Sequence, residues 1–329
     1  MVSIRDVAAH AGVAISTVSK VINHYPNVSE ATRVKVEQAI EELGFVPNTI
    51  AAALSSKQSG RVALLLKLNK RTNAADEIAM QYIAGAIQRA RALSMDVVTV
   101  FYSMLEDKSV EDIIRYFETQ GVSGIIIYSM DREDEALLEL LKTDKFKFVL
   151  VDAPMTGPNI SSVSIDNRQA QKDVVLKTAE QNDCSKILYI AGEESGYVTG
   201  ERIAGIKELA KEEGYKLKIV YGDFSEKKAR ELTLRFAKRY SAVVCASDLM
   251  AIGAMRALME MDIFRPVCGF DGIVLMGYAG KQMNTVKQDF ENVSAEAMTE
   301  LHNLLGGSEG RALTLPHTLV RMKYEDVIM

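Results

Sequence analysis

The segment Ser3–Asn23 constrains the fold of this 329-residue chain most strongly, because its pattern of polar and apolar residues fits two helices separated by a tight turn. Ser3 with Asp6 three residues later has the arrangement of a helix-capping box, and Gly12 lies where a first helix can end in the left-handed conformation. Ile15 then begins a second stretch with apolar residues at helical spacing. Two short helices joined by a glycine turn form the helix-turn-helix pattern, whose second helix can enter the major groove of DNA.

The second predicted helix has one apolar face and one mainly polar face. Val18, Val21 and Ile22 are predicted to face a core. The outer face, with residues three and four positions apart, carries Ile15, Ser16, Ser19, Lys20 and Asn23. A small helical hairpin that only helps to build a core produces the same pattern, so this segment alone does not decide between DNA binding and a purely structural role.

A third predicted helix completes a small domain. Ser29 is a suitable N-cap for a helix over Glu30–Leu43, which Gly44 ends. The residues predicted to face inward from this helix are Val34, Val36, Ile40 and Leu43. Beyond it, a proline and an asparagine precede a very short alanine-rich helix that reaches Leu54. A closed three-helix core favours the DNA-binding interpretation.

Residues 3–54 resemble the DNA-binding region of the lactose-repressor/galactose-repressor (LacI/GalR-type) family of bacterial transcription regulators. The matching motifs are Asp6-Val-Ala, Ala11-Gly-Val, Thr17-Val-Ser, Lys20-Val-Ile-Asn23, Val28-Ser, Thr32-Arg-x-x-Val36, Ala39-Ile, Leu43-Gly-Phe, Pro47-Asn48 and Ala51-x-x-Leu54. The set is dense, and it spans all three predicted helices and the short one after them.

The resemblance implies roles for individual residues. The residues expected to contact DNA are Ile15, Ser16 and Lys20 at base edges and Thr17, Ser19 and Asn23 at phosphates. Leu54 matches the residue that inserts into the minor groove when two hinge helices pair on DNA. Two-fold pairing implies a palindromic operator, and a homodimer is expected. Lys20 stands where the family commonly has an arginine, so its contact to guanine lacks the bidentate fork.

The charge of the chain bears on how it would bind DNA. The net charge of −5 argues against indiscriminate binding of nucleic acid. Within residues 1–59, five Lys and Arg residues are balanced by five Asp and Glu residues. A single copy is therefore expected to bind weakly, with affinity coming from two linked copies and from base contacts.

Composition limits the class of protein. With 48% apolar and 25% charged residues the chain is typical of a soluble globular protein, and its length suggests two or three domains. No apolar run approaches the ~20 residues that cross a bilayer, and Arg5 and Asp6 interrupt any signal-peptide core. We therefore expect a cytoplasmic protein without membrane contact. Three cysteines and four histidines are scattered along the chain, so no disulfide framework, metal site or cofactor is predicted.

From residue 61 onward, short apolar strands alternate with helical patterns, which predicts parallel sheets flanked by helices. The first predicted strands are Val62–Leu66, Asp96–Phe101, Gly124–Ile127 and Phe146–Val151. After a Pro/Gly-rich break at 153–158, the alternation restarts with strands Ser162–Ile165, Lys186–Ala191, Lys216–Tyr221, Ala242–Cys245 and Arg265–Phe270. Two such sheets joined by a hinge describe a clamshell that closes on a small ligand.

The predicted fold class is α/β, with an N-terminal helix-turn-helix domain and a two-lobed parallel-sheet effector domain. The predicted boundaries are 1–46 for the helix-turn-helix domain, 47–60 for a linker and hinge helix, and 61–329 for the effector-binding and dimerisation domain. Within the last domain, lobe one is predicted at about 61–158 and 289–316, and lobe two at about 159–288 and 317–329. The family resemblance continues in this domain through Val244-Cys-Ala-Ser-Asp248, Gly269-Phe-Asp271 and Thr285-Val-Lys-Gln-Asp-Phe290, and it implies the fold of type I periplasmic sugar-binding proteins.

Polar residues near the carboxyl ends of the predicted strands are candidates for an effector site. Asp152 and Asp271 end strands, and Arg202 lies in the first turns of a helix. Carboxylates accept hydrogen bonds from hydroxyl groups and arginine donates in a planar fork, which suits a polyhydroxyl ligand, while Phe224 is a candidate stacking ring. A strand-end aspartate can instead be a helix N-cap, which we expect for Asp248.

The resemblance adds further positions to this site. The residues that fall where the family contacts sugars are Asp152, Arg202, Ser247, Asp271 and Gln288, and Phe224 falls where the family often has an aromatic residue. From the other lobe, Met80 and Tyr128 are expected to contribute.

The expected function is that of a sequence-specific transcriptional regulator, a repressor, whose operator affinity is controlled by a sugar or sugar derivative. Two alternatives stay open, a solute-binding protein of a transport system and a regulator that senses a partner protein. The sequence contains no GxGxxG, P-loop or GxSxG run, so an enzyme is not expected. The sequence does not determine which effector binds or whether it induces or corepresses.

Overall fold

The computed structural model of the chain describes residues 2–22, 28–45, 61–67, 76–279 and 282–321. The chain divides into two compact units, Met1–Ser59 and Gly60–Met329. Asn23, Leu54 and the predicted linker and hinge helix at 47–60 lie outside the described residues.

The described residues of the N-terminal unit form the helices α1 (Ile4–Ala11), α2 (Ile15–Ile22) and α3 (Glu30–Leu43). Asp6 Oδ2 accepts hydrogen bonds from the Ser3 amide and hydroxyl at 2.8 and 2.7 Å, which fixes the start of α1. Gly12 and Gly44 adopt left-handed conformations directly after α1 and α3. The predicted three-helix arrangement is therefore confirmed.

The core of this unit consists of Val7, Ala8, Val18, Val21, Val36 and Ala39. The prediction that Val34 faces inward was wrong, because its side chain is 43% exposed. Val34 and Val36 are two residues apart, or about 200° around the helix axis, so both cannot face the same core. Ala39 lies on the buried face instead.

The second unit contains two six-stranded sheets. The first has the order β11-β5-β4-β3-β1-β2, and all of its paired strands are parallel. Its strands are β1 (Arg61–Leu66), β2 (Val97–Phe101), β3 (Val122–Tyr128), β4 (Lys147–Val151), β5 (Ile160–Ile165) and β11 (Ala312–Leu315). The helices connecting or covering them are α4 (Asp76–Ala92), α5 (Val110–Thr119), α6 (Glu135–Leu140) and α11 (Phe290–Leu305).

The second sheet has the order β12-β10-β9-β8-β6-β7, and among its described strand pairs β10–β12 is antiparallel and the others are parallel. Its strands are β6 (Lys186–Ala191), β7 (Lys216–Tyr221), β8 (Ala242–Cys245), β9 (Val267–Asp271), β10 (Asn284–Lys287) and β12 (Thr318–Arg321). Its helices are α7 (Asn167–Ala179), α8 (Tyr197–Glu212), α9 (Glu226–Phe236) and α10 (Asp248–Glu260). The central strands of both sheets are buried along nearly their whole length, as expected for parallel strands covered on both faces.

The predicted start of the second lobe near residue 159 was wrong, because β5 belongs to the first sheet. Phe148 in β4 pairs with Ile160 in β5, and the Phe148 amide donates to the Asn159 carbonyl at 2.9 Å. The Pro/Gly-rich segment before β5 therefore returns the chain to the same sheet instead of leading to the next one. The chain crosses to the second lobe after Ile165, back after β10, and again between β11 and β12.

Within the described ranges, no helix is both long and apolar enough to cross a membrane.

Candidate functional site

A cavity of about 900 Å³ lies between the two lobes. Its walls come from residues that directly follow strands, such as Tyr102 after β2, Asp152 after β4 and Asp271 at the end of β9. The carboxyl ends of the strands in both sheets therefore face this space, which is where open parallel sheets bind ligands.

Backbone strain is concentrated at this cavity. Eight described non-glycine residues have positive φ, and six of them line the cavity, namely Asp107, Ser129, Asp152, Asp223, Phe224 and Asp271. The left-handed region costs energy for residues with a side chain, and such conformations persist mainly where the surrounding structure enforces them at functional sites. The backbone conformations therefore indicate a functional site at this cavity, independently of the chemistry of its side chains.

Arg202 on α8 is the buried cation of the site, with only 3% of its surface exposed. Its Nε donates to Asn167 Oδ1 at 2.9 Å and its Nη1 donates to the Ala246 carbonyl at 2.6 Å. Its guanidinium carbon lies 3.6 Å from the centroid of the Phe270 ring. These contacts hold the plane of the guanidinium group in one orientation at the cavity wall.

Asp271 supplies the carboxyl group that faces Arg202 in the same lobe. Its Oδ1 lies 3.7 Å from Arg202 Nη1 and accepts a hydrogen bond from Gln288 Nε2 at 3.1 Å. Burial raises the pKa of Asp271 to about 7, although Arg202 acts in the opposite direction. Arg202, Asp271 and Gln288 therefore form one connected polar group at the floor of the cavity.

Asp152 contributes a carboxylate from the first lobe. It accepts hydrogen bonds from Tyr82 Oη at 3.4 Å and from Asn167 Nδ2 at 3.5 Å. Burial raises the pKa of Asp152, and the nearby Arg202 opposes that effect. Because Asn167 also bonds to Arg202, its amide links the carboxylate of one lobe to the cation of the other.

Tyr128 and Tyr82 form the aromatic wall on the first-lobe side. Their ring centroids are 4.7 Å apart, and the Tyr128 hydroxyl lies 2.5 Å from Ser294 Oγ. Tyr128 was predicted from the sequence, whereas Tyr82, which lies one helical turn beyond Ile78 on α4, was not. Met80, which was predicted to contribute, is 62% exposed and does not line the cavity. It lies two positions from both Ile78 and Tyr82, on the opposite side of the helix.

Ser247 and Asp248 have roles that differ from the expectation. Ser247 is the N-cap of α10, with its Oγ accepting from the Met250 amide at 3.3 Å, and it also lines the cavity. Asp248 was expected to be the N-cap, but it is fully buried one position further along. Its carboxylate accepts hydrogen bonds from the Gly272 amide at 2.7 Å and the Thr285 hydroxyl at 2.6 Å. Asp248 therefore fixes the segment directly after Asp271 at the end of β9, because its carboxyl oxygens accept hydrogen bonds from two other elements.

Phe224 lines the cavity as predicted from its position after β7. Its ring covers Gly192, where an added Cβ would lie 2.1 Å from the ring. A larger residue at 192 would displace the ring, so this glycine positions the candidate stacking surface.

Contacts between the lobes flank the mouth of the cavity. Lys67 Nζ, from the first lobe, lies 2.5 Å from Asp131 Oδ2 of the same lobe. It also lies 3.4 Å from Glu193 Oε2, which belongs to the second lobe. The Arg132 amide donates to the Ser195 carbonyl at 3.0 Å, and Glu77 Oε1 accepts from the Val274 amide at 2.9 Å. The lobes therefore touch around the cavity, and sequence reasoning found none of these contacts because they join distant segments.

The N-terminal unit presents the predicted DNA-contacting residues on one helix. Ile15, Ser16 and Lys20 are exposed, and the side chain of Ile15 is 46% exposed despite being apolar. Thr17 and Ser19 are partly buried beside them, while Val18 and Val21 face the core. This surface of α2 fits a helix that enters a DNA groove.

No group of three or more His, Cys, Asp or Glu side chains suited to a metal ion occurs among the residues with described positions. The chemistry of the cavity is instead that of a cation, two carboxylates, an amide and aromatic rings. Such groups together recognise neutral ligands that carry several hydroxyls.

Comparison with known proteins gives matches along most of the chain. The family "Bacterial regulatory proteins, lacI family" matches residues 3–48, and the "Periplasmic binding protein domain" matches residues 72–309. The lactose operon repressor of Escherichia coli (strain K12) is 31% identical over 342 residues, covering 98% of this chain and 90% of the repressor.

Two solved structures are similar over almost the full length. A lac repressor dimer bound to operator and the anti-inducer ONPF has a TM-score of 0.81 and 26% identity, covering 98% of each chain. A complex of the transcriptional regulator CelR with cellobiose has a TM-score of 0.72 and 28% identity, covering 98% of this chain and 100% of CelR. The predicted combination of a helix-turn-helix domain with a two-lobed parallel-sheet domain is confirmed.

The raised pKa of Asp271 predicts a dependence of stability on pH. The unfolded chain loses this proton near pH 4, whereas the folded protein keeps it up to about pH 7. The protonated group therefore favours the folded state below pH 4, and this contribution is lost as the pH rises through 7. Asp271→Asn removes the titration. The stability of the variant relative to the wild type should rise by up to about 3 kcal/mol between pH 5 and pH 8.

Urea unfolding at the two pH values measures this difference. Asp262→Asn is the matched control, because Asp262 is exposed and has a positive φ that asparagine also tolerates. The same relative stability of Asp271→Asn at both pH values would contradict the assignment.

Proposed function

This chain belongs to the lacI family of bacterial regulatory proteins, and we propose that it represses transcription as a homodimer whose affinity for a palindromic operator is set by a sugar bound between its lobes. It is a DNA-binding transcriptional regulator. The observation that carries the proposal is the Arg202–Asp271–Gln288 group at the floor of the interlobe cavity, in a chain whose N-terminal unit is a helix-turn-helix. A regulator of this kind acts where the DNA is, in the cytoplasm, and it binds its effector without converting it.

On the DNA side, α2 is the proposed recognition helix. Ile15, Ser16 and Lys20 contact base edges, and their exposure supports this role. Thr17 and Ser19 contact phosphates. Asn23 and Leu54, which lie outside the described residues, keep their proposed roles at a phosphate and in the minor groove.

On the effector side, the proposed ligand is a carbohydrate. Asp152 and Asp271 accept hydrogen bonds from its hydroxyls, Arg202 donates to its oxygens, and Phe224 covers an apolar ring face. Gln288, Ser247 and Tyr128 complete the proposed site, and Met80 is withdrawn because its side chain points away from the cavity. The related CelR was solved with cellobiose, which supports a sugar as the ligand class.

Coupling between the two functions follows from the two-lobed structure. A ligand that bridges Asp152 of one lobe and Arg202 of the other stabilises one lobe arrangement over others. A lobe arrangement that changes the spacing of two DNA-binding units in a dimer changes the operator affinity, and operator binding then changes the effector affinity by the same factor. A solute-binding protein of a transport system accounts for the cavity but not for α2, so we do not favour it. A regulator that senses a partner protein would also contain α2. Such a regulator would, however, have no use for the buried pair of Arg202 and Asp271 in the cavity.

The effector-site assignment predicts a specific defect in two variants. Arg202→Ala and Asp271→Ala each remove a charged hydrogen-bonding group worth about 1.5–3 kcal/mol, so each should weaken effector binding at least tenfold. Operator binding without effector should stay within about twofold of the wild type, because neither residue lies in the N-terminal unit. A thermal-shift screen against sugars identifies a ligand, and fluorescence anisotropy of labelled operator then measures the response to it.

Arg256→Ala is the control, because this arginine of the same lobe is exposed and pairs only with Glu226 among the described residues. A normal response of either cavity variant to the effector would disprove the assignment of the pocket.

The assignment of α2 predicts which substitution changes sequence specificity. Lys20→Ala should lower operator affinity by about 1–3 kcal/mol and relax the preference at one base pair of each half-site. Binding of the wild type and the variant to all single-base variants of a selected operator measures both effects. Lys35→Ala, which removes the same charge from the exposed face of α3, should not change the base preference. An equal loss of affinity at every sequence would place Lys20 at a phosphate instead of a base.

A further inference from the structure

One stretch of the cavity mouth joins the two lobes through the backbone. Asp131, which follows β3 in the first lobe, forms an antiparallel bridge with Gly196, which precedes α8 in the second lobe. Next to it, the Arg132 amide donates to the Ser195 carbonyl at 3.0 Å. The donor and the acceptor of this bond belong to different lobes, so the bond exists only while the lobes are closed at this point.

The side chain of Arg132 packs on the first turn of α8. Its guanidinium carbon lies 5.0 Å from the centroid of the Tyr197 ring, which is a cation–π distance. A Cβ added to Gly200 would lie only 2.3 Å from Arg132 Nη2. Tyr197 and Gly200 are three positions apart and therefore lie on the same face of the helix. The ring and the glycine form one depression, the α8 notch, which accepts the guanidinium group from the other lobe.

Gly200 is explained by the space that it leaves for this group. A glycine inside a helix is less favourable than alanine, because it loses more backbone entropy on folding. Gly200 does not have the positive φ that would call for a glycine. Outside its own helix, the three atoms nearest to an added Cβ all belong to the side chain of Arg132. The sequence of α8 is thus adapted to a contact with the first lobe.

Tyr197 joins the α8 notch to the body of the first lobe. Although it begins a helix of the second lobe, its ring packs against the apolar cluster of the first lobe that contains Phe117 and Phe148. Its hydroxyl lies 3.5 Å from the sulfur of Met155, which follows β4. Arg202 lies five positions further along the same helix. The contact therefore acts on the element that carries the charged group of the cavity.

We propose that Arg132 is a latch between the lobes: its guanidinium group, seated in the α8 notch, favours the closed arrangement of the lobes over an open one. Arg132 does not itself line the cavity, so the latch controls closure without contacting an effector. A ligand that passes the mouth must wait until the latch is released, so the latch slows both entry and exit. This inference concerns the movement of the lobes and holds whether or not the effector is a sugar.

Hydrogen exchange of two backbone amides in the full-length protein tests the latch. The Arg132 amide reports on the latch itself. The Val274 amide, which donates to Glu77 Oε1 of the other lobe at 2.9 Å, follows β9, two strands away from β6. Gly200→Ala leaves no room for the guanidinium group, so both amides should exchange faster. We expect a factor of roughly two to five, which corresponds to the loss of one exposed cation–π contact.

A variant of the arginine should have the same effect from the other lobe. Arg132→Lys keeps the charge but lacks the planar group that stacks on the ring, so it should accelerate exchange of the Val274 amide to a similar extent. Arg132 is exposed, and its replacement therefore leaves the core intact. Arg115→Ala is the control, because it removes an exposed arginine of α5 that pairs with Asp112 of the same helix, and it should change neither amide.

The two halves of the latch should not act independently. Arg132→Ala should accelerate exchange of the Val274 amide about as much as Gly200→Ala does. In a protein that already carries Arg132→Ala, adding Gly200→Ala should have no further effect, because the atoms that the methyl group would displace are gone. Equal acceleration by Gly200→Ala with and without the arginine would show that it acts through the helix alone, and it would overturn the proposal. Unchanged exchange in both single variants would overturn it as well.

Operator binding separates this proposal from the proposed function. Latch variants that exchange faster and also bind operator with altered affinity would support both, because lobe closure would then control the DNA-binding unit. Latch variants that exchange faster but bind operator like the wild type would support the latch. They would at the same time contradict the coupling between lobe arrangement and DNA binding that the proposed function requires.

Discussion

The geometry of the interlobe cavity depends on the contacts of one buried group, the guanidinium of Arg202. An unpaired cation in this position would cost several kcal/mol, so the surrounding elements must supply compensating groups. Asn167 at the start of α7, the carbonyl before α10, and Asp271 at the end of β9 all do so. These segments converge on one point because each satisfies the same charge. The carboxyl ends of the second sheet are thereby held in a fixed arrangement around the cavity.

The first lobe also contributes to this arrangement, but it is not held rigidly against the second lobe. Asp152 reaches the Arg202 group through Asn167 at 3.5 Å, a long hydrogen bond. At the mouth of the cavity, Lys67 and Glu193 form an exposed ion pair between the lobes, and such pairs contribute little to stability. These two contacts between the lobes are therefore weak, whereas the hydrogen bonds that Arg202 donates within the second lobe are short and buried. A ligand that bonds to both lobes has a higher affinity for the arrangement in which both sets of groups reach it, and such a difference in affinity is the condition for a ligand to shift a conformational equilibrium.

The sequence was sufficient for the parts of the structure that depend on local patterns. Helical spacing and glycine stops predicted the three N-terminal helices, and apolar runs predicted most strands of both sheets. Arg202, Asp271 and Asp152 were predicted because side chains at strand ends and in first helical turns can reach the cleft, and because the family resemblance places sugar contacts at these positions. The placement of β5 was missed because strand pairing depends on contacts between distant segments. Tyr82 and Tyr102 were missed for the same reason, since nothing in their local sequence shows that they face a cavity. Val34 was misplaced by an error in the helical phase, and Met80, which was taken from the family resemblance, lies on the exposed side of its helix.

The most direct test of the account is whether the effector and operator sites are coupled reciprocally. The measurement is the effector affinity of the purified dimer, by calorimetry, with saturating operator DNA and with a scrambled duplex of the same length. If the two sites are linked, operator DNA must change the effector affinity by the same factor by which the effector changes operator affinity. We expect equal factors of roughly 5 to 150, the range typical of such coupling. An effector affinity that is the same with operator and with scrambled DNA would contradict the account, because the cavity would then bind its ligand without controlling the DNA-binding unit.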